Sequence, residues 1–170
     1  MKEKAVFKKF RFLLFVPALL FMCMIFSFSG ETGEESSSLS LTVTTTVVDS
    51  INNVVYDKTM SNDSYQNLID TLHTPVRKLA HMSEYAILYL LIFFPLMTYN
   101  IRFSIYHLIC PVVICFLYAC TDEFHQTFID ERCGQFSDVL IDMSGTLISV
   151  IITFLVLNAK KMLTYKKNKI

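Results

Sequence analysis

Tryptophan is absent from the 170 residues, and so are the short signatures of familiar soluble chemistry. There is no HExxH pair to hold a catalytic zinc and no glycine-rich loop to cradle a phosphate. There is no GxSxG turn to present a nucleophile. Cysteine offers no framework either. Cys23, Cys110, Cys115 and Cys120 sit inside apolar segments, where a thiol behaves as a small hydrophobe, and Cys133 stands alone in a polar segment. With no CxxC pair, neither a disulfide scaffold nor a zinc ribbon is indicated. Net charge is also lacking, since the formal sum is zero.

What the chain does have is apolar length. Apolar residues make up 53% of it, and mean hydropathy is +0.46, a profile of a polytopic membrane protein. A helix that crosses a bilayer needs roughly 20 mostly apolar residues. Segments of that kind run over about 12–28, 82–99, 103–120 and 139–157. The predicted fold is therefore all-α, a four-helix transmembrane bundle. Pro95 lies in the second segment, which membrane helices tolerate when neighbours satisfy the freed carbonyl. The first segment has a rival reading as a cleaved signal peptide, with a basic start and small residues at Ser27 and Ser29.

The charges are segregated even though they cancel. Lys2, Lys4, Lys8, Lys9 and Arg11 precede the first segment, and Lys160, Lys161, Lys166, Lys167 and Lys169 follow the fourth. Arg102 marks the turn between the second and third. Basic residues favour the cytoplasmic side, so a multi-pass cell-membrane protein with both termini cytoplasmic is expected. The basic tail is suited to anionic lipid rather than nucleic acid. The outer loop, residues 29–76, carries Leu39, Val43, Val47, Ile51 and Val54 near helical spacing, which predicts an amphipathic helix of about four turns. Its β-branched content works against helix. A second short pattern, Tyr65, Leu68, Ile69 and Leu72, leads to Pro75, and 58–64 reads as a linker.

Polar residues gather at the outer ends of the apolar segments. Arg77, His81 and Glu84 share one helical face, as do Asp138 and Asp142, which continue into Gly145 and Ser149. Asp122, Glu123, His125 and Gln126 end the third segment, and Arg132 lies on the following loop. Ionisable groups at such depth are costly and usually functional. Three readings fit: a pocket for a polar headgroup or glycan, an interhelical charge network in which Arg77, Arg132 and His81 pair with Glu84, Glu123, Asp138 and Asp142, or a metal or catalytic site. Binding is preferred, with no metal and no cofactor, because no nucleophile or cofactor motif accompanies the acids. The alternative activity is a membrane-embedded hydrolase or transferase acting on an envelope lipid.

The sequence Arg77-Lys78-Leu79-Ala80-His81-Met82-Ser83-Glu84-Tyr85 is followed by Asp122-Glu123-Phe124-His125-Gln126-Thr127-Phe128, then Arg132, then Asp138-Val139-Leu140-Ile141-Asp142-Met143-Ser144-Gly145. In that order these blocks resemble the VanZ-like family of bacterial membrane proteins, with its RKxxHxxEY, DExxQxF and DVxxDxxG pattern. The chain departs from the family where Phe28-Ser29-Gly30 replaces Ser-Ser-Gln, and where Asp130-Glu131 replaces a Pro-Gly before Arg132. The resemblance covers most of the chain and implies one membrane domain over 1–170. A well-known member of the family is linked to low-level resistance to teicoplanin, a glycopeptide that acts on cell-wall precursors. It therefore implies membrane lipid as surroundings and a lipid-linked wall component or glycopeptide as ligand. The candidate binding cluster is Arg77, His81, Glu84, Asp122, Glu123, Gln126, Arg132, Asp138 and Asp142.

Overall fold

Hydrogen-bond closure decides what an apolar chain can form in lipid, and here every described element is helical. The computed structural model describes residues 10–99 and 105–167. A 3-10 turn, Arg11–Phe15, leads into α1, Val16–Ser29. Then come α2, Gly33–Val55, α3, Asn62–Met97, α4, Ile105–Gln126, and α5, Phe136–Lys167. Among the described residues, four helices are long and apolar enough to cross a membrane: Arg11–Ser29, Asn62–Met97, Ile105–Gln126 and Phe136–Ala159. Their outward faces are apolar, with Leu20, Phe94, Leu117 and Leu155 each more than half exposed, as contact with lipid tails requires. Arg102 and the lysines at 2, 4, 8, 9 and 169 lie outside the described residues.

The boundaries differ from the sequence reading in instructive ways. The expected linker 58–64, the short pattern ending at Pro75 and the second apolar segment are joined, because 36 residues form one helix, α3, through both Pro75 and Pro95. Ser61 caps its start, accepting from the Ser64 amide at 3.3 Å. The amphipathic helix is longer than four turns, with 23 residues in α2. A capping box starts it: the Glu35 amide donates to Thr32 Oγ1 at 3.3 Å and the Thr32 amide to Glu35 Oε2 at 3.1 Å. The β-branched residues that argue against helix are accommodated because Thr42, Thr44, Thr45 and Thr46 donate their hydroxyls to carbonyls one turn back, a bond open to threonine within a helix.

α2 folds back along the first turns of α3. Tyr65 donates to Asp49 at 2.7 Å, and Ser40 Oγ lies 2.8 Å from His73 Nε2. The face α2 buries is not its apolar stripe. Thr44 and Val48 are buried, whereas Leu39 and Val43 are 53% and 54% exposed. The stripe is turned aside from the hairpin seam because Ser37 and Ser40 take the contacts with His73.

α3 is the hub and packs most extensively on α5. Tyr85, Leu88, Tyr89, Ile92 and Phe93 bury their side chains against Ile25 of α1, Cys115 and Ala119 of α4, and Val139 of α5. Close approach of α3 and α5 depends on Gly145. A Cβ there would lie 1.9 Å from the Met82 carbonyl oxygen, so any side chain forces the helices apart. One turn on, Ser149 donates to the Ala86 carbonyl at 3.0 Å. Small residues serve membrane helices in this way because packing and interhelical hydrogen bonds, rather than the hydrophobic effect, hold them together.

Candidate functional site

Chain direction alternates through α1, α3, α4 and α5, so the C-terminal ends of α1 and α4 meet the polar stretch of α3 and the start of α5. Two cavities at this end of the bundle take in the candidate cluster. The larger, about 680 Å³, is polar, and Arg77, His81, Glu123, Gln126, Arg132, Asp138 and Asp142 are among its lining residues. The second, about 570 Å³, is mostly apolar and runs between α1, α2 and α3, with Glu84 and Asp122 at its polar end. Arg77, His81 and Arg132 line both. All nine residues of the candidate cluster thus border one cavity or the other.

Helical geometry distributes them. Adjacent residues on a helix point about 100° apart, at 3.6 residues per turn, so Asp122 faces the apolar groove while Glu123 faces the polar cavity. α4 runs on to Gln126, past the apolar run that ends at 120, and so carries Asp122, Glu123 and Gln126 as helical, buried residues at its end. Gln126 Nε2 donates to Asp122 Oδ2 at 3.3 Å. Glu123 Oε2 accepts from the Gln135 amide at 2.9 Å. The loop after α4 folds tightly enough for this bond because Gly134 lies against α4: a Cβ there would sit 2.2 Å from the Glu123 carbonyl oxygen. Glu131 in the same loop holds a left-handed φ of 61°.

The charge pairs of the interhelical-network reading mostly do not form. Among the described residues, His81 Nδ1 and Glu84 Oε2, at 3.5 Å, make the one ion pair of the cluster, and they are three residues apart on a single helix. Arg132 instead donates Nη2 to the Phe28 carbonyl at 3.2 Å, and its buried Nε has no hydrogen-bond partner. Burial, with Arg77 close by, pushes the Arg132 guanidinium below its ordinary range, and Glu31, Asp122 and Glu123 oppose that shift. Asp142 is 3% exposed and lines the polar cavity, yet it makes no hydrogen bond or ion pair among the described residues. The intervening cavity holds the cations and the acids of different helices apart.

Several lining residues were missed in the sequence. His73, one turn before Arg77, extends the same α3 stripe and borders the polar cavity; its spacing of four from Arg77 was the available signal. Gln135 contributes through its backbone, and Gly33 and Glu34 through the position of α2, neither of which residue type alone discloses. His125 lies elsewhere. It stacks on Phe26 with ring centroids 4.2 Å apart and borders a separate shallow cleft. Among the described residues no three His, Cys, Asp or Glu side chains gather closely enough to hold a metal ion.

Chemically, the polar cavity offers carboxylate acceptors from α4 and α5 opposite guanidinium and imidazole donors from α3 and the loop. Such a mixed surface can take both hydroxyl donors and an anionic group. A family model described as VanZ/LLP1 matches residues 13–157, a stretch that contains the whole cluster. No curated protein and no solved structure matches the chain.

Proposed function

The chain belongs to the VanZ/LLP1 family, and on that premise we propose that it is a bacterial envelope membrane protein whose polar cavity binds the head of a lipid-linked wall component or a lipophilic glycopeptide. Both termini face the cytoplasm in this reading, which puts the cavity on the outer side, where such ligands occur. The Lys and Arg bias of the sequence supports that orientation. The observation that carries the binding role is Asp142. Its carboxylate faces the polar cavity with no hydrogen-bond or ion-pair partner among the described residues, where a structural network would pair it. A ligand hydroxyl or amine supplies the missing partner.

Binding at this cavity changes how the outer surface handles the ligand, and the expected phenotype is altered sensitivity to teicoplanin. The test is expression in a teicoplanin-sensitive host, with growth inhibition measured for the unaltered chain, Glu123→Gln and Asp142→Asn. Both variants keep side-chain shape and remove charge. Normal membrane levels with loss of the phenotype are expected. Full phenotype in both variants removes these residues from the site, and loss of the folded protein in both returns them to a structural role. Orientation is checked separately: a membrane-impermeant thiol reagent should label the exposed Cys133 in intact cells, and a reporter after Lys169 should read as cytoplasmic.

A further inference from the structure

The two cavities share a wall, and what lies on that wall specifies a ligand more closely than either cavity does alone. We infer that they form one site for a single-chain lipid in which a phosphate joins the chain to a hydroxylated head, with the chain in the apolar groove and the phosphate between Arg77 and Arg132. This deepens the binding role proposed above and rests on it.

The groove is lined by Ile25 and Phe28 of α1, Leu39, Val43 and Val47 of α2, and Leu79 of α3. Its α2 side is the apolar stripe that the hairpin leaves open, with Leu39, Val43 and Val47 between 39% and 54% exposed. A volume of about 570 Å³ is within the ordinary range for a bound small molecule. An alkyl chain matches this lining.

At the inner end the lining changes to Arg77, His81, Glu84, Asp122 and Arg132. Arg132 is 9% exposed, and its Nε is unpartnered. Guanidinium groups fit the planar, bidentate recognition of phosphate better than any other side chain. Because Arg77 and Arg132 also line the polar cavity, an anion they hold sits at the junction. Beyond it lie Glu123, Asp138 and Asp142, acceptors suited to hydroxyl donors and repulsive to a second anionic group. The order from groove to cavity is therefore chain, anion, hydroxyl donors. Glycerol phosphate and sugar phosphate heads share that chemistry.

The probe is a myristoyl lysophosphatidylglycerol, titrated onto the full chain in phosphatidylcholine nanodiscs. Its comparators are glycerophosphoglycerol, which lacks the chain, and monomyristoyl glycerol, which lacks the phosphate and the head glycerol it carries. The lysolipid should bind at least tenfold more tightly than either comparator. Val43→Trp, a substitution on the exposed stripe that fills the groove, should weaken lysolipid binding about tenfold, and Leu39→Trp one turn away serves if Val43→Trp does not fold. Arg132→Gln and Arg77→Gln should each weaken it by a similar factor. Equal binding of the monoglyceride overturns the phosphate assignment. Unchanged binding in a folded Val43→Trp or Leu39→Trp protein overturns the groove. Absence of lysolipid binding to the unaltered chain overturns the proposal whole. Failure of the polar-cavity reading has its own signature, in which Val43→Trp weakens binding and Asp142→Asn does not, and that result overturns the placement of the head.

Discussion

Along one pair of helices, α3 and α5, the contact changes character within two turns. From Gly145 onward the helices touch: the glycine meets the Met82 carbonyl, Ser149 donates to Ala86, and Thr146 is wholly buried. Before Gly145 they enclose the polar cavity, with Asp138 and Asp142 on one side and Arg77 and His81 on the other. The closed part is made of small groups that let backbones meet. The open part carries charges that stay apart although their signs would let them pair. Packing explains the first, but stability alone gives no reason for the second, since a helix pair sealed along its full length by small and apolar residues would need no carboxylate at this position. The contrast separates residues that hold the bundle from residues that we propose meet a ligand, and each can be tested by substitution.

The largest effect is expected in the closed part. In Gly145→Leu the new side chain cannot fit between α3 and α5, and even its Cβ lies far inside contact distance of Met82. Overpacking a tight contact typically costs about 1–3 kcal/mol and sometimes more, and here the obstacle is backbone rather than a movable side chain. The variant should lose most of its folded yield in detergent, measured by monodispersity on size exclusion and by thermal unfolding. A well-behaved Gly145→Leu protein with an unchanged midpoint would break the comparison at its closed end.

The open part should respond in the opposite sense. Removing one partner of a buried ion pair typically costs about 3–5 kcal/mol. Asp142 has no such partner among the described residues, so Asp142→Asn should leave stability unchanged or raise it by up to about 1 kcal/mol once the charge no longer has to be desolvated. Glu123→Gln should be slightly unfavourable, because the Gln135 amide loses a charged acceptor at 2.9 Å and keeps a neutral one. The pair of thermal melts is decisive. A loss of several kcal/mol in Asp142→Asn would show that the acid is a structural partner after all, and the two parts of the contact would then differ only in polarity.

Much of this division is legible in the sequence. Apolar length gives the four spanning helices, and spacings of three and four put Arg77, His81 and Glu84, and likewise Asp138 and Asp142, on shared faces. The helix ends were harder to read. Composition alone ends the apolar run of α4 near Cys120, but the helix continues to Gln126, where Gln126 donates to Asp122 one turn back and Glu123 accepts from the Gln135 amide of the next loop. In sequence the start of α3 divides into separate pieces because Pro75 interrupts the pattern, whereas packing of α2 along α3 sustains the helix across it. The pairing pattern was not legible at all. Opposite charges at one depth suggest ion pairs, and only the relative placement of helices shows that a cavity lies between them. The open stripe of α2 is a similar case: periodicity finds Leu39, Val43 and Val47 but does not say which face the hairpin buries.

The smallest effect concerns the loop that closes the open end. Glu131 has a φ of 61°, a conformation that costs a residue with a Cβ roughly 1 kcal/mol and costs glycine almost nothing. Its carbonyl and Cβ also lie against Gly33, at the start of α2, where a Cβ would come within 2.6 Å of the Glu131 oxygen. Two effects therefore oppose each other in Glu131→Gly. Relief of the left-handed strain stabilises the fold, and the greater freedom of glycine in the unfolded chain costs about 0.5–1 kcal/mol. The net result should be small, an upward shift of about 2 °C at most in the unfolding midpoint, with Gly33 still seated because its nearest neighbour is backbone. Glu131 borders the polar cavity but is exposed, so its carboxylate should contribute little to binding, and lysolipid affinity should change less than about twofold. A drop of several degrees would show that the Glu131 side chain anchors the loop. A large change in affinity with an unchanged midpoint would instead extend the ligand-facing surface to the loop and move the boundary between the two regions.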